Sequence, residues 1–273
     1  MAKAKKKAAP KKKAAPKKKT RAVATRPAQA VALATMMEND VSASNFFTQG
    51  DVTTPFLCIL QDKSPQVKRN KEEYVKGAKP GMIFLTGNNL VAELVSVIPC
   101  FYSKVIIEWI PRNSGGGFVA RHSLDSRIKE QAHKNAEGRL VLENGNELQD
   151  TAEYCVLVNF GNEWLPAMLA MKSSQLRPSR RWNTIMSTRK LVNSKNKRYT
   201  PPMYSHIYDF ATVEEPNQKG DFYNWAIDME GDALQDVELY TMAKDFAQSS
   251  AEMNNQAGEE AKPPVYADDE AAY

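Results

Sequence analysis

The chain has 273 residues, with 37 Lys and Arg against 32 Asp and Glu, and 42 % hydrophobic residues. That length allows one large domain or two small ones, and the middle is long enough for a sizeable single core. No apolar run approaches the ~18 residues of a membrane span, and the basic N-terminus lacks the apolar stretch of a secretory signal, so a soluble cytoplasmic protein with no membrane partner is expected.

The charge is sorted along the chain. Met1 to Arg26 holds twelve basic residues and no acid. Glu230 to Tyr273 holds eleven acids against Lys244 and Lys262. The middle, residues 27–229, keeps 23 basic and 21 acidic residues and so folds without strong self-repulsion. Cys58, Cys100 and Cys155 lie far apart on apolar stretches with no CxxC pair. Buried reduced thiols are the simplest reading.

Residues 1–30 alternate lysine triplets with Ala-Ala-Pro. Proline and charge repulsion predict a disordered, extended basic arm. Residues 31–230 are read as one strand-rich core. TTPFLCIL (53–60) and MIFLT (82–86) are short strands, with a Gly-Pro turn before the second. Residues 91–110 are dense in Val, Ile and aromatics and predict two strands, or one bent strand, broken near Pro99. FVAR (118–121) resumes extended structure, and residues 123–136 suit a short polar helix. Asn144-Gly145 predicts a hairpin turn. EYCVLVNF (153–160) and PAMLAM (166–171) predict another hairpin. Residues 203–213 alternate, placing Tyr204, His206, Tyr208 and Phe210 on one face, and DFYNWAIDM (221–229) is their partner. Residues 231–250 predict an amphipathic helix through Leu234, Val237, Leu239, Tyr240, Met242 and Phe246. Residues 251–273 predict a disordered acidic tail. The class is mostly β (α+β), a barrel or sandwich with one or two helices.

The strongest internal signal is residues 172–199. They hold nine basic residues (Lys172, Arg177, Arg180, Arg181, Arg189, Lys190, Lys195, Lys197, Arg198) and no acid. A helix starting at Arg177-Pro178 puts Arg177, Arg180 and Arg181 on one face, with Trp182 and Met186 opposite. Arginine forks hold phosphates bidentately. Trp182, Tyr199, Tyr204, Tyr208 and Trp225 supply aromatic rings near this stretch. A basic groove with aromatic platforms is what single-stranded nucleic acid requires. The bland alternatives are a solvated basic face and aromatics that serve the core. At the C-terminus, Asp268, Asp269, Glu270 and Tyr273 form an acidic, aromatic-ended tip. It suits docking on a partner's basic pocket or competition with nucleic acid for the inner patch, and its bland reading is a solubility tail.

Catalytic signals are poor. His122, His133 and His206 show no metal-ligand spacing, and no P-loop, GxGxxG or GxSxG is present. Asp125, Glu130, Asp209, Asp221 and Asp228 are scattered carboxylates that no spacing singles out. No enzyme activity, cofactor or metal is expected.

LQDKSPQV (60–67), GAKPGMIFLTG (77–87), VIPCFYSKVIIEWIPR (97–112) followed by GGG, and LAMKSSQLRPSRRWNT (169–184) resemble proteins of tailed bacteriophages. This group comprises single-stranded DNA-binding proteins of replication and recombination, with uncharacterised relatives. The resemblance spans about residues 55–230. It implies an OB-type barrel, no catalysis, partners among replication or recombination proteins, and residence in the host cytoplasm; a homo-oligomer is left open. The Lys-rich arm lies outside that pattern. It leaves open a duplex-binding chromatin-like or packaging protein; a metal-dependent nuclease, whose metal the scattered carboxylates would hold, is a second rival, and an adaptor without nucleic-acid function is a third.

Overall fold

The structure is a computed structural model, which describes residues 36–37, 54–161, 163–217 and 220–257. The chain divides into Met1–Val52 and Thr53–Tyr273, and the elements below belong to the second unit. The Lys-rich arm and the acidic tip lie outside the described residues.

Two long strands, β4 (Val95–Ile110) and β8 (Glu147–Asn159), pair antiparallel along almost their whole length and form the spine. Each exchanges its other neighbour along its length. The first half of β4 pairs with β12 (His206–Asn217), which pairs with β13 (Gly220–Ile227). The second half pairs with β5 (Gly117–Ser123). β8 pairs with β9 (Trp164–Lys172) at one end and with β7 (Leu140–Val141) at the other, and β7 pairs with β6 (His133–Lys134). The sheet curls into a half-barrel, so the core is strand-rich and carries two helices among the described residues.

Pro99 does not end β4. The register shifts between Pro99 and Phe101, leaving Cys100 as a bulge. A bulge accommodates proline, which has no N–H for the ladder, and reverses the alternation beyond it. Val95 and Val97 therefore face the main core before the bulge, and Tyr102 packs against it after. This resolves the two readings of 91–110 toward a bent strand, preceded by the short β3 (Leu90–Ala92). Burial pushes the Cys100 thiol up to about 12, and the three cysteines form no disulfide.

A meander of β1 (Leu57–Ile59), β2 (Ile83–Leu85) and β3 leans on the free edge of β9 through the Phe56–Met168 bridge. Its far end reaches β13 through one side chain. Gln61 donates from Nε2 to the Tyr223 carbonyl (2.8 Å) and accepts from the Tyr223 N–H at Oε1 (2.9 Å). The amide thus replaces a ladder rung. Thr212 also donates to the Gly81 carbonyl at this seam. Gly81 has φ +82°, and a Cβ there would lie 2.7 Å from the Tyr223 ring, so only glycine fits the approach.

The main core gathers Ile83, Val97, Tyr154, Val156, Leu169, Phe210 and Trp225 from these strands. On the opposite face, Ile98, Cys100 and Leu157 are covered by Leu239 and Ala243 of a helix at Val237–Ala257 (α2). A third cluster, Ile106, Leu142 and Leu148, fills the distal end.

Three expectations need correction. Residues 123–136 form only a 3-10 turn at Arg127–Gln131 before β6, because their apolar residues are too few for a packed helical face. Tyr204 precedes β12 and packs edge-on against Tyr240 (5.5 Å), on the α2 side of the sheet and not with Tyr208 and Phe210. The C-terminal helix starts at Val237 and runs past Ser250 to Ala257. Val237 and Met242 face solvent, and Leu239, Ala243, Phe246 and Ala247 make the contact.

Candidate nucleic-acid interface

The acid-free stretch 172–199 folds as a helix followed by a ribbon. β9 ends at Lys172, whose ammonium lies 5.4 Å from the Trp109 ring centroid. Ser173, at φ +50°, turns the chain into a helix at Leu176–Thr188 (α1). Pro178 sits in its first turn, where no N–H is lost.

Ser179, Trp182 and Met186 are the buried face of α1. The Trp182 ring lies 4.9 Å from Tyr154, 5.4 Å from Tyr208 and 5.1 Å from Phe210. The Tyr154 hydroxyl donates to Asn183 Oδ1 (2.9 Å) and sits 2.7 Å from Ser179 Oγ. Burial raises the Tyr154 pKa well above the phenol range, so this hydroxyl keeps its proton. The helix is thus keyed to the sheet by one indole and one phenol. Arg177, Arg180 and Arg181 are exposed on the other side. Thr184, Ser187 and Thr188 spend their hydroxyls on helix carbonyls and leave the arginines as the donors facing solvent.

Arg189 ends the helix and turns inward. Its guanidinium lies 5.6 Å from the Tyr208 ring centroid and donates to the carbonyls of Met229 and Glu230. It serves as a clasp between α1 and the chain after β13. Burial first, and then the Arg189 charge, hold the nearby His206 below the usual imidazole range.

The ribbon pairs β10 (Leu191–Val192) with β11 (Arg198–Tyr199). Its tip is fixed by Asn193, whose Oδ1 accepts from the N–H groups of Lys195 (2.9 Å) and Lys197 (3.0 Å). Asn196 takes the left-handed conformation at φ +55° that asparagine tolerates. Lys190, Lys195, Lys197 and Arg198 are exposed, and Lys190 donates to Thr200 Oγ1. Among the described residues, no ion pair joins any basic side chain of α1 or the ribbon to a carboxylate.

The structure separates the aromatic candidates. Trp182, Tyr208 and Trp225 are 0 %, 1 % and 4 % exposed. They build the core and have no face open to a base, so their nomination as stacking platforms is corrected. Tyr204 is half-buried under α2. Tyr199, 43 % exposed on the ribbon, has a ring open to solvent. The sequence reading missed Val192, which is exposed on the ribbon opposite Arg198, and Ser179 and Asn183, which seat the helix. The spacing of four between Ser179 and Asn183, on the flank of Trp182, was the available signal.

The family model described as Pam3 phage gp34-like protein matches residues 17–256. The chain belongs to the Pam3 phage gp34-like family. It is a phage protein, and the matched span takes in the whole described sheet, α1 and the ribbon, and nearly all of α2. No curated protein and no solved structure matches this member of the gp34-like family. Among the described residues, no group of three or more His, Cys, Asp or Glu is arranged to hold a metal, and no helix is long and apolar enough to cross a membrane.

Proposed function

We propose that this gp34-like chain is a non-catalytic single-stranded DNA-binding protein of phage replication or recombination. In this reading the curled sheet is an OB-like scaffold, and α1 with its ribbon grips the phosphates. The observation that carries it is the run of seven exposed cations, Arg177, Arg180, Arg181, Lys190, Lys195, Lys197 and Arg198, on one continuous and acid-free segment. Such a surface attracts a polyanion regardless of sequence, by releasing its condensed counterions. Tyr199 is the ring on which a base stacks in this scheme, a contact worth about 1–3 kcal/mol where it has been measured by substitution. The acidic tip at Asp268, Asp269, Glu270 and Tyr273 recruits a replication or recombination protein.

The test is a titration of labelled poly-dT at several salt concentrations, with duplex DNA and RNA as competitors. The log of affinity should fall linearly with the log of salt, by roughly 0.7 per neutralised phosphate on a single strand. Unchanged affinity between low and moderate salt would end the electrostatic account, and preference for duplex would favour the packaging reading. The twelve basic residues of the arm are the observation behind that second reading. Removing residues 1–26 decides between them. A remainder that still binds poly-dT supports the core site, and one that binds nothing supports packaging by the arm.

A further inference from the structure

We infer that the α1–ribbon surface has a second ligand: the acidic surface around the start of α2 on another copy of this chain. Two successive stretches of the chain carry opposed charge. Residues 172–199 hold nine cations and no acid, whereas residues 204–243 hold nine acids and only Lys219 as a cation.

Short contacts gather six of these acids. The Asp228 N–H donates to the Asp209 carbonyl (2.9 Å), and β14 (Asp232–Ala233) pairs with the beginning of β12. Asp236 caps α2, accepting from the N–H groups of Glu238 (2.8 Å) and Leu239 (3.1 Å). The result is an exposed set, Asp209, Asp228, Glu230, Asp232, Asp236 and Glu238, on anchored backbone.

Among the described residues, no ion pair joins the two surfaces. The ion pairs among the described residues join Lys104, Arg121, His122, Lys129 and Arg139 to carboxylates on β4 and β8. Two surfaces of opposite sign on one body suit copy-to-copy docking, since complementary potentials steer and register the encounter. Each also carries the apolar centre that an interface needs inside its charged rim. On the basic side it is Val192, 57 % exposed and paired with Arg198 on the same face of the ribbon. On the acidic side it is Val237, 78 % exposed in the first turn of α2. A second copy is favoured over an unrelated basic partner because the chain itself supplies the complement. The two faces differ, so each contact joins unlike patches.

The experiment is sedimentation of nuclease-treated full-length protein without added nucleic acid, so its outcome does not depend on the DNA reading. The average mass should exceed that of the monomer at about 0.1 M salt. It should return to the monomer at about 1 M, where the screening length is roughly 3 Å. Glu230→Lys/Asp232→Lys and Arg180→Glu/Arg181→Glu should each sediment as monomers at the lower salt. Mixed in equal amounts, they should associate again, because each supplies the sign the other lost. Regained association also shows that both variants are folded. Wild-type mass in either variant alone, or a mixture that stays monomeric, overturns the inference.

Discussion

The two helices cover opposite faces of the sheet and teach different things about how a helix is held. α1 is anchored by a single large residue. Trp182 enters an aromatic cluster, Ser179 and Asn183 hold Tyr154 beside it, and the helix presents Arg177, Arg180 and Arg181 to solvent. α2 is anchored by dispersed contacts, Leu239, Ala243, Phe246 and Ala247, on the other face. Its distal end is tied by Arg121, which donates to Asn254 (2.8 Å) and pairs with Glu153 (2.9 Å). A concentrated anchor frees most of a helical surface for ligand. A dispersed one serves as a cover.

The largest effect expected from this contrast is that of Trp182→Ala. Losing a fully buried indole should cost about 3–5 kcal/mol, read as a drop in the urea midpoint. Poly-dT affinity should fall with it, because α1 loses its seat. Leu239→Ala on α2 should cost roughly 2–3 kcal/mol and leave poly-dT affinity intact at temperatures where the variant is folded. Equal losses of binding in the two variants would erase the distinction between anchor and cover. Arg180→Ala/Arg181→Ala inverts the pattern. Stability should change by less than about 0.5 kcal/mol, as is usual for exposed sites, while the salt slope shallows by roughly 0.7 per phosphate contact removed.

The smallest effect concerns a site remote from both helices. Glu108 accepts from Asn146 (2.6 Å) and sits 2.8 Å from His122 Nε2. Burial pushes its carboxyl up, but the hydrogen bonds from Asn146 and His122 and the His122 charge outweigh this and hold it below the ordinary range. A depressed folded pKa gives stability that is present above the unfolded value, ~4.3 for Glu, and is lost as pH falls through the folded one. Relative to Glu108→Gln, the wild type should therefore lose urea resistance only under acid. A constant difference down to pH 3 would contradict this, and poly-dT binding should not follow it.

Much of the strand layout was legible because period-two apolar runs and the Asn144-Gly145 and Gly161 turns mark it directly. The basic stretch was visible from charge alone, and the inward face of α1 from the spacing of Trp182 and Met186. Other features depend on contacts distant in sequence. Whether Tyr208 and Trp225 line a groove or a core is decided by α1 and the meander packing over them, which alternation does not encode. The Cys100 bulge hid the true facing of residues 102–110. Arg189 looked like one more phosphate ligand until its carbonyl partners 40 residues away came into view. The acidic complement at 204–243 was masked because the division at residue 229 split it between a near-neutral middle and an acidic C-terminal stretch.

The seam at Gln61 has a consequence in time. It links residues 162 positions apart, through two hydrogen bonds from one amide. Loop closure over such a span is among the slowest contributions to folding. During synthesis the β1–β3 meander emerges long before Tyr223 exists, so its last rung stays unmade while nearly the whole sheet is assembled. The meander, though made early, is therefore joined to β13 only once Tyr223 has been made.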